Sequence, residues 1–421
     1  MGKPLPQEIC PCMREPGVVI AGCGAISAVG CGLEPLLAAL KNNSSGLRAM
    51  EKFSAPRFQS NIVGAVPENG WGERPREPGW AGQSVATTAR EDARPTRTDN
   101  SAWWLATEAL TQARAAAEEI LQKISAARTG LVLSTTKANI TALELISENR
   151  SCSETARRHL QANLLAEDLA QAFGAHGPVQ TVSVACVSGL IAISQAAKII
   201  QRGEADAVFV VGVDALSEFV VAGFTALKAL DPLGCRPFDA ARCGLSPGEA
   251  GAAIVLVRDD FAPAAKIKIR AFGGSNDANH LTGPSRDGSG LAQAIRVALA
   301  AAKFSPTEID FVHAHGTGTP YNDAMESLAL QTIFGDAGPP VSGAKGMLGH
   351  TLGAAGVIET ICCVLAMQNN FLPGTPRLDS PADGTPKNLL REPRLDVRVK
   401  NILKLNTGFG GMNGALILSH G

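Results

Sequence analysis

Along most of this chain, short apolar runs closed by small-residue turns alternate with longer stretches of helical period, and nothing else in the sequence limits the fold as strongly. Gly17-Val-Val-Ile-Ala-Gly22 and the runs at 129–134, 207–212 and 252–257 are continuously apolar, as strands buried on both faces are. Between them, Ser101 to Ala126, residues 161–173 and Leu190 to Gln201 carry helical spacing, the first with alanine-rich helix propensity. That order predicts an α/β fold, with a largely parallel sheet covered by helices on both faces. The alternation then repeats, with strands expected near 266–272, 309–313, 398–405 and 414–418, and helices near 289–303, 322–334 and 352–368. A chain of 421 residues with 45% hydrophobic content exceeds a single average domain. It divides into a loose leader over 1–16 and two halves, 17–258 and 259–421, whose similar layout suggests an internal duplication.

Several function classes drop out on composition. A net charge of -1 with scattered basic residues gives no electrostatic footprint for nucleic acid or an anionic membrane, so small molecules or proteins are the expected partners. No apolar stretch reaches the roughly 18 residues of a membrane span, and the opening residues MGKPLPQEICPCMREPG lack the apolar core of a signal peptide, so a cytoplasmic protein is expected. Most of the ten cysteines sit in apolar contexts, as at Cys362 and Cys363, where free thiols act as small hydrophobes; no disulfide framework is expected. Cys10 and Cys12 lack a second pair at zinc-finger spacing and belong to the leader. Gly22-Cys-Gly24-Ala-Ile-Ser27 imitates the start of a dinucleotide fingerprint. The acid expected about 20 residues on is replaced by the polar turn Leu40 to Gly46, so a tight strand-to-loop turn is favoured over nicotinamide binding. From Phe53 to Asn100 the chain is rich in Pro, Gly, Trp and Arg, including Trp71, Pro75, Pro78 and Trp80; this is a long surface excursion.

Three places carry chemistry. Gln180-Thr-Val-Ser-Val-Ala-Cys186-Val-Ser-Gly189 is an apolar run meeting a small-residue turn, with a helical pattern following. Cys186 is thereby expected where a buried strand hands over to a helix N-terminus, whose free N–H groups and dipole favour a thiolate; it is the candidate nucleophile. In Asp310-Phe-Val-His313-Ala-His315-Gly-Thr-Gly-Thr319 a strand delivers His315 to a glycine-threonine turn, at the strand end where ligands gather in α/β sheets. His313 and His315 share a strand face, yet two imidazoles make no zinc site and the nearest acid, Asp323, lies beyond the turn, so no metal is expected. Ser342-Gly-Ala-Lys345-Gly-Met-Leu-Gly-His350-Thr-Leu-Gly-Ala-Ala-Gly356-Val-Ile-Glu359 places His350 at the mouth of a helix, in a position that echoes Cys186. Each histidine alone is ordinary; a cysteine at a helix mouth with two histidines on glycine-rich turns is specific.

These residues identify a resemblance to the β-ketoacyl-acyl-carrier-protein synthases, elongating condensing enzymes of the thiolase superfamily. VACVSG around Cys186 resembles the family's nucleophile motif and HGTGT at His315 its first histidine motif, while KGMLGHTLGAAG is similar to its lysine and second histidine. GFGGMNG from Gly408 resembles its glycine-rich closing loop and VVIAGCGAISAVG its opening strand, so the match runs in order from about residue 17 to the end. The resemblance implies a five-layered αβαβα thiolase-like fold and a homodimer, with a heterodimer containing another ketosynthase-like subunit as the alternative. It also implies acyl- and malonyl-loaded acyl carrier protein as partner and no metal or organic cofactor.

The residue types suit that chemistry. Joining two thioesters needs a nucleophile that holds one acyl group and leaves again, as a soft sulfur does. The other thioester, if malonyl, loses carbon dioxide to become an enolate, to whose oxygen His315 and His350 can donate in a dry pocket. By analogy with the family, the backbone N–H groups of Cys186 and Phe409 form a second oxyanion hole. Lys345 reads either as a fixed charge paired with Glu359 beside the histidines or as a plain salt bridge. Phe409 between Gly408 and Gly410 reads either as a gate over the cysteine or as a packed aromatic. Thr317, Thr319 and Asp323 are supporting positions.

The sequence departs from the usual pattern at Val187 and Ser188 beside the nucleophile, at His313 where an acid or amide is common, and at Thr407-Gly-Phe409, which lacks an aromatic before the gate. The segment 65–100 fits the family poorly, and Ser134-Thr-Thr-Lys137-Ala-Asn-Ile140 points to a subgroup working in polyene or specialised-lipid clusters. A chain-length factor would lack Cys186, a decarboxylase-only relative would carry glutamine there, and an acetyl-joining thiolase would place a second cysteine between Gly408 and Gly414; none of these holds.

Overall fold

The computed structural model describes residues 16–50, 58–67 and 99–421. The leader, apart from its last residue, and most of the 53–100 excursion lie outside the described residues. Five strands make up the first set: β1 (Val18–Ser27), with the two-residue strand Gly30–Cys31 paired beside it, β2 (Thr129–Ser134), β3 (Val179–Val182), β4 (Ala207–Asp214) and β5 (Ala250–Arg258). Five more follow: β6 (Ile267–Asn276), β7 (Phe311–His313), β8 (Val341–Ser342), β9 (Asn401–Gly408) and β10 (Met412–His420). The first set is ordered β3-β2-β4-β5-β1 and the second β8-β7-β9-β10-β6, the same order twice, joined where Val19 faces Lys268.

Six helices cover these strands: α1 (Ser101–Ala116), α2 (Ala162–Phe173), α3 (Ser188–Gln201), α4 (Ser289–Ala302), α5 (Pro320–Phe334) and α6 (Ala355–Gln368). The layers follow from strand alternation. On β2, Leu131 and Leu133 pack into a cluster with α1 and α2, while Val132 points the other way into a cluster with α3 and α6. On β7, Val312 joins a cluster with α4 and α5, while Phe311 faces α3 and α6. The result is five layers, α1/α2, sheet, α3/α6, sheet, α4/α5, the αβαβα arrangement expected above. It accounts for the continuously apolar strands β2, β4 and β5, which are buried on both faces; the strand before Cys186, expected to be buried, is the edge strand β3, where only Val182 is buried.

The two central helices meet at their N-termini through glycine. A Cβ on Gly189 would lie 2.7 Å from Gly356 Cα, and one on Gly356 would lie 2.5 Å from Leu190 N, so only glycine lets the backbones approach this closely.

Two expectations need correcting. The sheet is not largely parallel: β2 pairs in parallel with β3 and β4, but β5 runs antiparallel to β4 and β1. The second set repeats this, with β10 antiparallel to β9 and β6. The few residues between Gly408 and Met412 permit only an antiparallel reversal, because a parallel connection needs a long crossover. The helix expected over 101–126 stops at Ala116, and a separate turn, Glu118–Leu121, follows the kinked Ala117. Alanine propensity favours a helix without setting its end, and Ala113 and Ala117 are here packed against Gly22 of β1.

Candidate active site

The parallel strands β2, β3 and β4 end together, and Cys186 lies just beyond β3 in a tight reversal. Ala185 is held at φ 45°, and Ser188 stitches the turn, accepting from Val184 N–H at 2.7 Å and donating to Ala185 O at 2.6 Å. Ser188 therefore has a definite task at its unusual position. Val187 is buried: its methyls lie 3.2 Å and 2.8 Å from where side chains at Gly408 and Gly414 would begin, so it packs the nucleophile turn against the closing loop.

Cys186 precedes the first residue of α3, Ser188, by two, as expected. Burial pushes the thiol up to about 12, against the smaller downward pull of Lys345 and of a hydrogen bond from the Phe409 backbone; Asp214 and Glu359 add to the upward push. Loss of solvation is the largest influence on the thiol.

His315 follows β7. Its backbone N–H donates at 2.6 Å to Glu326, and Gly316 N–H donates to the same carboxylate at 2.8 Å. Asp323 accepts from the N–H groups of Thr317 at 3.0 Å and Gly318 at 3.2 Å, and Thr317 and Thr319 share a hydroxyl contact of 2.8 Å. Thr317, Thr319 and Asp323 thus shape the turn that presents His315. Both carboxylates come from the first turns of α5, at i and i+3, on one buried face. Burial pushes Glu326 up to about 7, and the two backbone donors oppose it.

Lys345 is fully buried. It donates to His315 O at 2.6 Å and to Glu359 at 2.6 Å, and its Nζ stands 3.1 Å from His315 Nδ1. Asn406 Nδ2 reaches the same Nδ1 at 3.0 Å. An ammonium can only donate, so His315 Nδ1 accepts and its proton sits on Nε2. His350 has the same tautomer, because Leu352 N–H donates to its Nδ1 at 3.2 Å. The rings lie 5.2 Å apart at 82°, two neutral N–H donors side by side. Burial and then Lys345 hold His315 well below its ordinary value and His350 at about 3. Burial also pushes Glu359 up, but Lys345 and Lys404 outweigh it and bring the carboxyl to about 2. The Lys345–Glu359 pair is thus both a buried salt bridge and a fixed charge on the histidines.

His350 echoes Cys186 in standing two residues before a helical start, here the turn Leu352–Ala354 that runs into α6, though not in its distance from the glycine contact. With α3 and α6 meeting at Gly189 and Gly356, the residue three before Gly356 is Gly353, and His350 lies three further upstream. Tertiary contact sets its place: His350 N–H donates to Ser246 O at 2.7 Å, and Gly248 N–H to His350 O at 2.9 Å. The Phe409 backbone hydrogen-bonds Cys186, while its ring is 39% exposed and 6.1 Å from the Phe224 ring. A Cβ on Gly408 would lie 3.1 Å from Cys186 N, so glycine keeps that amide uncovered, and Gly410 takes φ 80° to close the turn.

Lys404, Asn406 and Glu326 were missed in the sequence. Lys404 sits on an apolar strand, fully buried, 2.8 Å from Glu359, with Nζ also bonded to Leu405 O. A charged residue inside a buried strand was the signal, as was a second acid three after Asp323. His313 is buried too; its Nδ1 donates to Ala314 O at 3.2 Å, and burial, then Lys404, lowers it to about 3. Among the described residues, no group of three or more His, Cys, Asp or Glu could hold a metal ion, and the eight described cysteines are free.

Three buried histidines whose protonation the fold disfavours are expected to make the protein acid-labile. Below the ordinary histidine value an unfolded chain binds protons on them that the folded chain excludes, so stability falls as pH falls, by on the order of 1 kcal/mol per pH unit for each. Denaturant titrations at pH 7 and pH 5 are expected to show a lower midpoint at pH 5.

Comparison with known proteins bears on this geometry. Residues 15–262 match the family model "Beta-ketoacyl synthase, N-terminal domain", and residues 267–379 match "Beta-ketoacyl synthase, C-terminal domain". The chain is 32% identical to 3-oxoacyl-(acyl-carrier-protein) synthase 2 of Vibrio harveyi, over 96% of this chain and 99% of that one. It is 31% identical to the tetracenomycin polyketide synthase ketoacyl synthase alpha subunit of Streptomyces glaucescens, over 96% and 97%. Among solved structures, the ishigamide ketosynthase/chain length factor superposes with a TM-score of 0.83 at 29% identity, covering 97% of this chain and all of that one.

Proposed function

We propose, from the premise that the chain belongs to the β-ketoacyl synthase family, that Cys186, His315 and His350 carry its reaction. The protein is a carbon–carbon bond-forming acyltransferase, a 3-oxoacyl-acyl-carrier-protein synthase acting in fatty-acid or polyketide chain elongation. The observation that carries the residue assignment is the pair of neutral imidazoles, both with Nδ1 engaged, so that both present Nε2–H.

In the first half-reaction, Cys186 sulfur attacks the acyl thioester on the carrier protein and the carbon–sulfur bond to the carrier breaks. The cysteine starts as a thiol, so its proton leaves during this step and ends on the departing carrier sulfur. In the second, the carboxylate of malonyl carrier protein leaves as carbon dioxide and its bonding pair becomes an enolate, whose oxygen accepts from His315 and His350. Removing a well-placed donor of this kind costs about 10²–10³ in rate. The enolate carbon attacks the acyl carbonyl on Cys186, whose oxyanion accepts from the Cys186 and Phe409 amides. Cys186 leaves as thiolate and takes a proton from water.

Neutral histidines suit this role, since a protonated pair beside Lys345 would be opposed by like charge. Phe409, exposed between two glycines, moves aside as the acyl chain enters. The chain works as a homodimer, or as the catalytic member of a heterodimer, since it keeps the cysteine; the relatives named for an alpha subunit and for a chain length factor support the second assembly. The motif around Lys137 supports a polyene or specialised-lipid product, and free cysteines in the described residues support a cytoplasmic setting.

Intact-mass analysis tests this reading. The protein is incubated with carrier proteins bearing acyl chains of different length and unsaturation, then with malonyl carrier protein. One acyl group is expected to remain on Cys186 and to leave as a chain longer by two carbons. Absence of any covalent acyl group would refute the assignment.

A further inference from the structure

Lys137 belongs to none of the steps above, although its cation is buried at the edge of the site. It lies in the loop that leaves β2, and Thr135 N–H donates to Val182 O at 3.2 Å, tying that loop to the end of β3 just before the nucleophile turn. The Lys137 side chain is 8% exposed, and its Nζ, fully shielded from solvent, makes no hydrogen bond. Its one charge partner is Asp214 at the end of β4, 3.3 Å away and itself fully buried.

Asp214 is a junction. It accepts from Thr135 Oγ1 at 2.9 Å, from Thr136 N–H at 3.1 Å and Oγ1 at 2.7 Å, and from Gly353 N–H at 2.7 Å. One carboxylate thereby links the loop beside the nucleophile turn to the segment that follows His350. Four donors already satisfy it, so Lys137 is superfluous for hydrogen bonding and contributes charge. A bare carboxylate there would oppose both anions of the reaction, the cysteine thiolate and the enolate oxygen. Asp214 does push the Cys186 thiol upward, after burial and against Lys345, and Lys137 is among the charges that keep His350 unprotonated.

A lysine holding the malonyl carboxylate is the competing role, and the chemistry disfavours it. A buried cation on that carboxylate would stabilise the ground state that decarboxylation must destroy.

We propose that Lys137 is a positioning residue for this reaction: its buried ammonium neutralises Asp214 where the Cys186 and His350 segments meet, so that no net negative charge faces the atoms that become anionic. The proposal rests on the reading of the site given above.

The test uses the full-length protein with Lys137→Met, Asp214→Asn and the double substitution. It follows the rate of iodoacetamide alkylation at Cys186 by peptide mass at one pH, with condensation kcat and KM for malonyl carrier protein alongside. One pK unit in the thiol is a tenfold change in thiolate. Lys137→Met is expected to slow alkylation about tenfold and to lower kcat about 10- to 100-fold, with KM within about threefold. Asp214→Asn is expected to speed alkylation, and the charge-balanced double variant to return within about threefold of the parent. Opposite signs from two substitutions at one contact cannot come from loosened packing. The proposal is overturned if Lys137→Met stays within about twofold of the parent in both assays, if both single variants slow alkylation, or if the double variant is slower than either. If the parent itself fails to condense, the functional reading fails, while the alkylation pattern still decides the charge balance.

Discussion

Cys186→Ala is expected to abolish covalent acyl loading and to cut condensation by at least about 10⁴-fold, while the protein stays folded. The size follows from the role: with no sulfur, neither the acyl intermediate nor its leaving group exists, and no other side chain is placed to substitute. The charged groups felt most at this position are Lys345, Asp214 and Glu359, and burial pushes the thiol of Cys362 well above its ordinary value and that of Cys363 to about 12. The fold should survive because removing one sulfur beside the already tight Val187 and Gly408 leaves a small void, worth about 1 kcal/mol or less of lost methylene-scale burial. Intact mass after incubation with acyl carrier protein and a thermal melt decide it. Continued elongation by Cys186→Ala would sink the mechanism.

His350→Ala and His315→Ala come next in size. Each removes one of two Nε2–H donors, and condensation is expected to fall by about 10²–10³, while acyl loading of Cys186 persists. The two variants should differ in stability. His315→Ala strips an acceptor from Lys345 and Asn406, both buried, whereas His350→Ala leaves only the Leu352 N–H without its acceptor. An unpaired buried polar group costs about 1–3 kcal/mol, so His315→Ala should melt at the lower temperature. Carbon dioxide release from malonyl carrier protein, measured separately from loading, is the discriminating observation: release at the parent rate in either variant would remove that histidine from the enolate site.

The fold class was legible because strands buried on both faces are apolar throughout, and runs such as 129–134 and 252–257 cannot belong to a one-faced sheet. Strand direction was not legible in the same residues. Antiparallel β5 and β10 have the same composition as the parallel strands beside them, and direction is set by connection geometry. Similarly, alanine richness located α1 and left its end to the packing of Ala113 and Ala117 on Gly22.

Of the site, the sequence alone singled out the residues proposed to react: Cys186, His315 and His350 stand in turns of small residues, and Lys345 with Glu359 comes as a pair. Only the tertiary structure decided their states. The upward push on the Cys186 thiol comes first from its burial. That both histidines are neutral Nε2–H donors follows from Lys345, Asn406 and the Leu352 amide, brought to them from separate segments. Glu326, Lys404, Lys137 and Asp214 act through contacts between residues far apart in the chain. Residue type and spacing specify which groups can react, whereas desolvation and charge–charge coupling depend on what the folded chain packs around them.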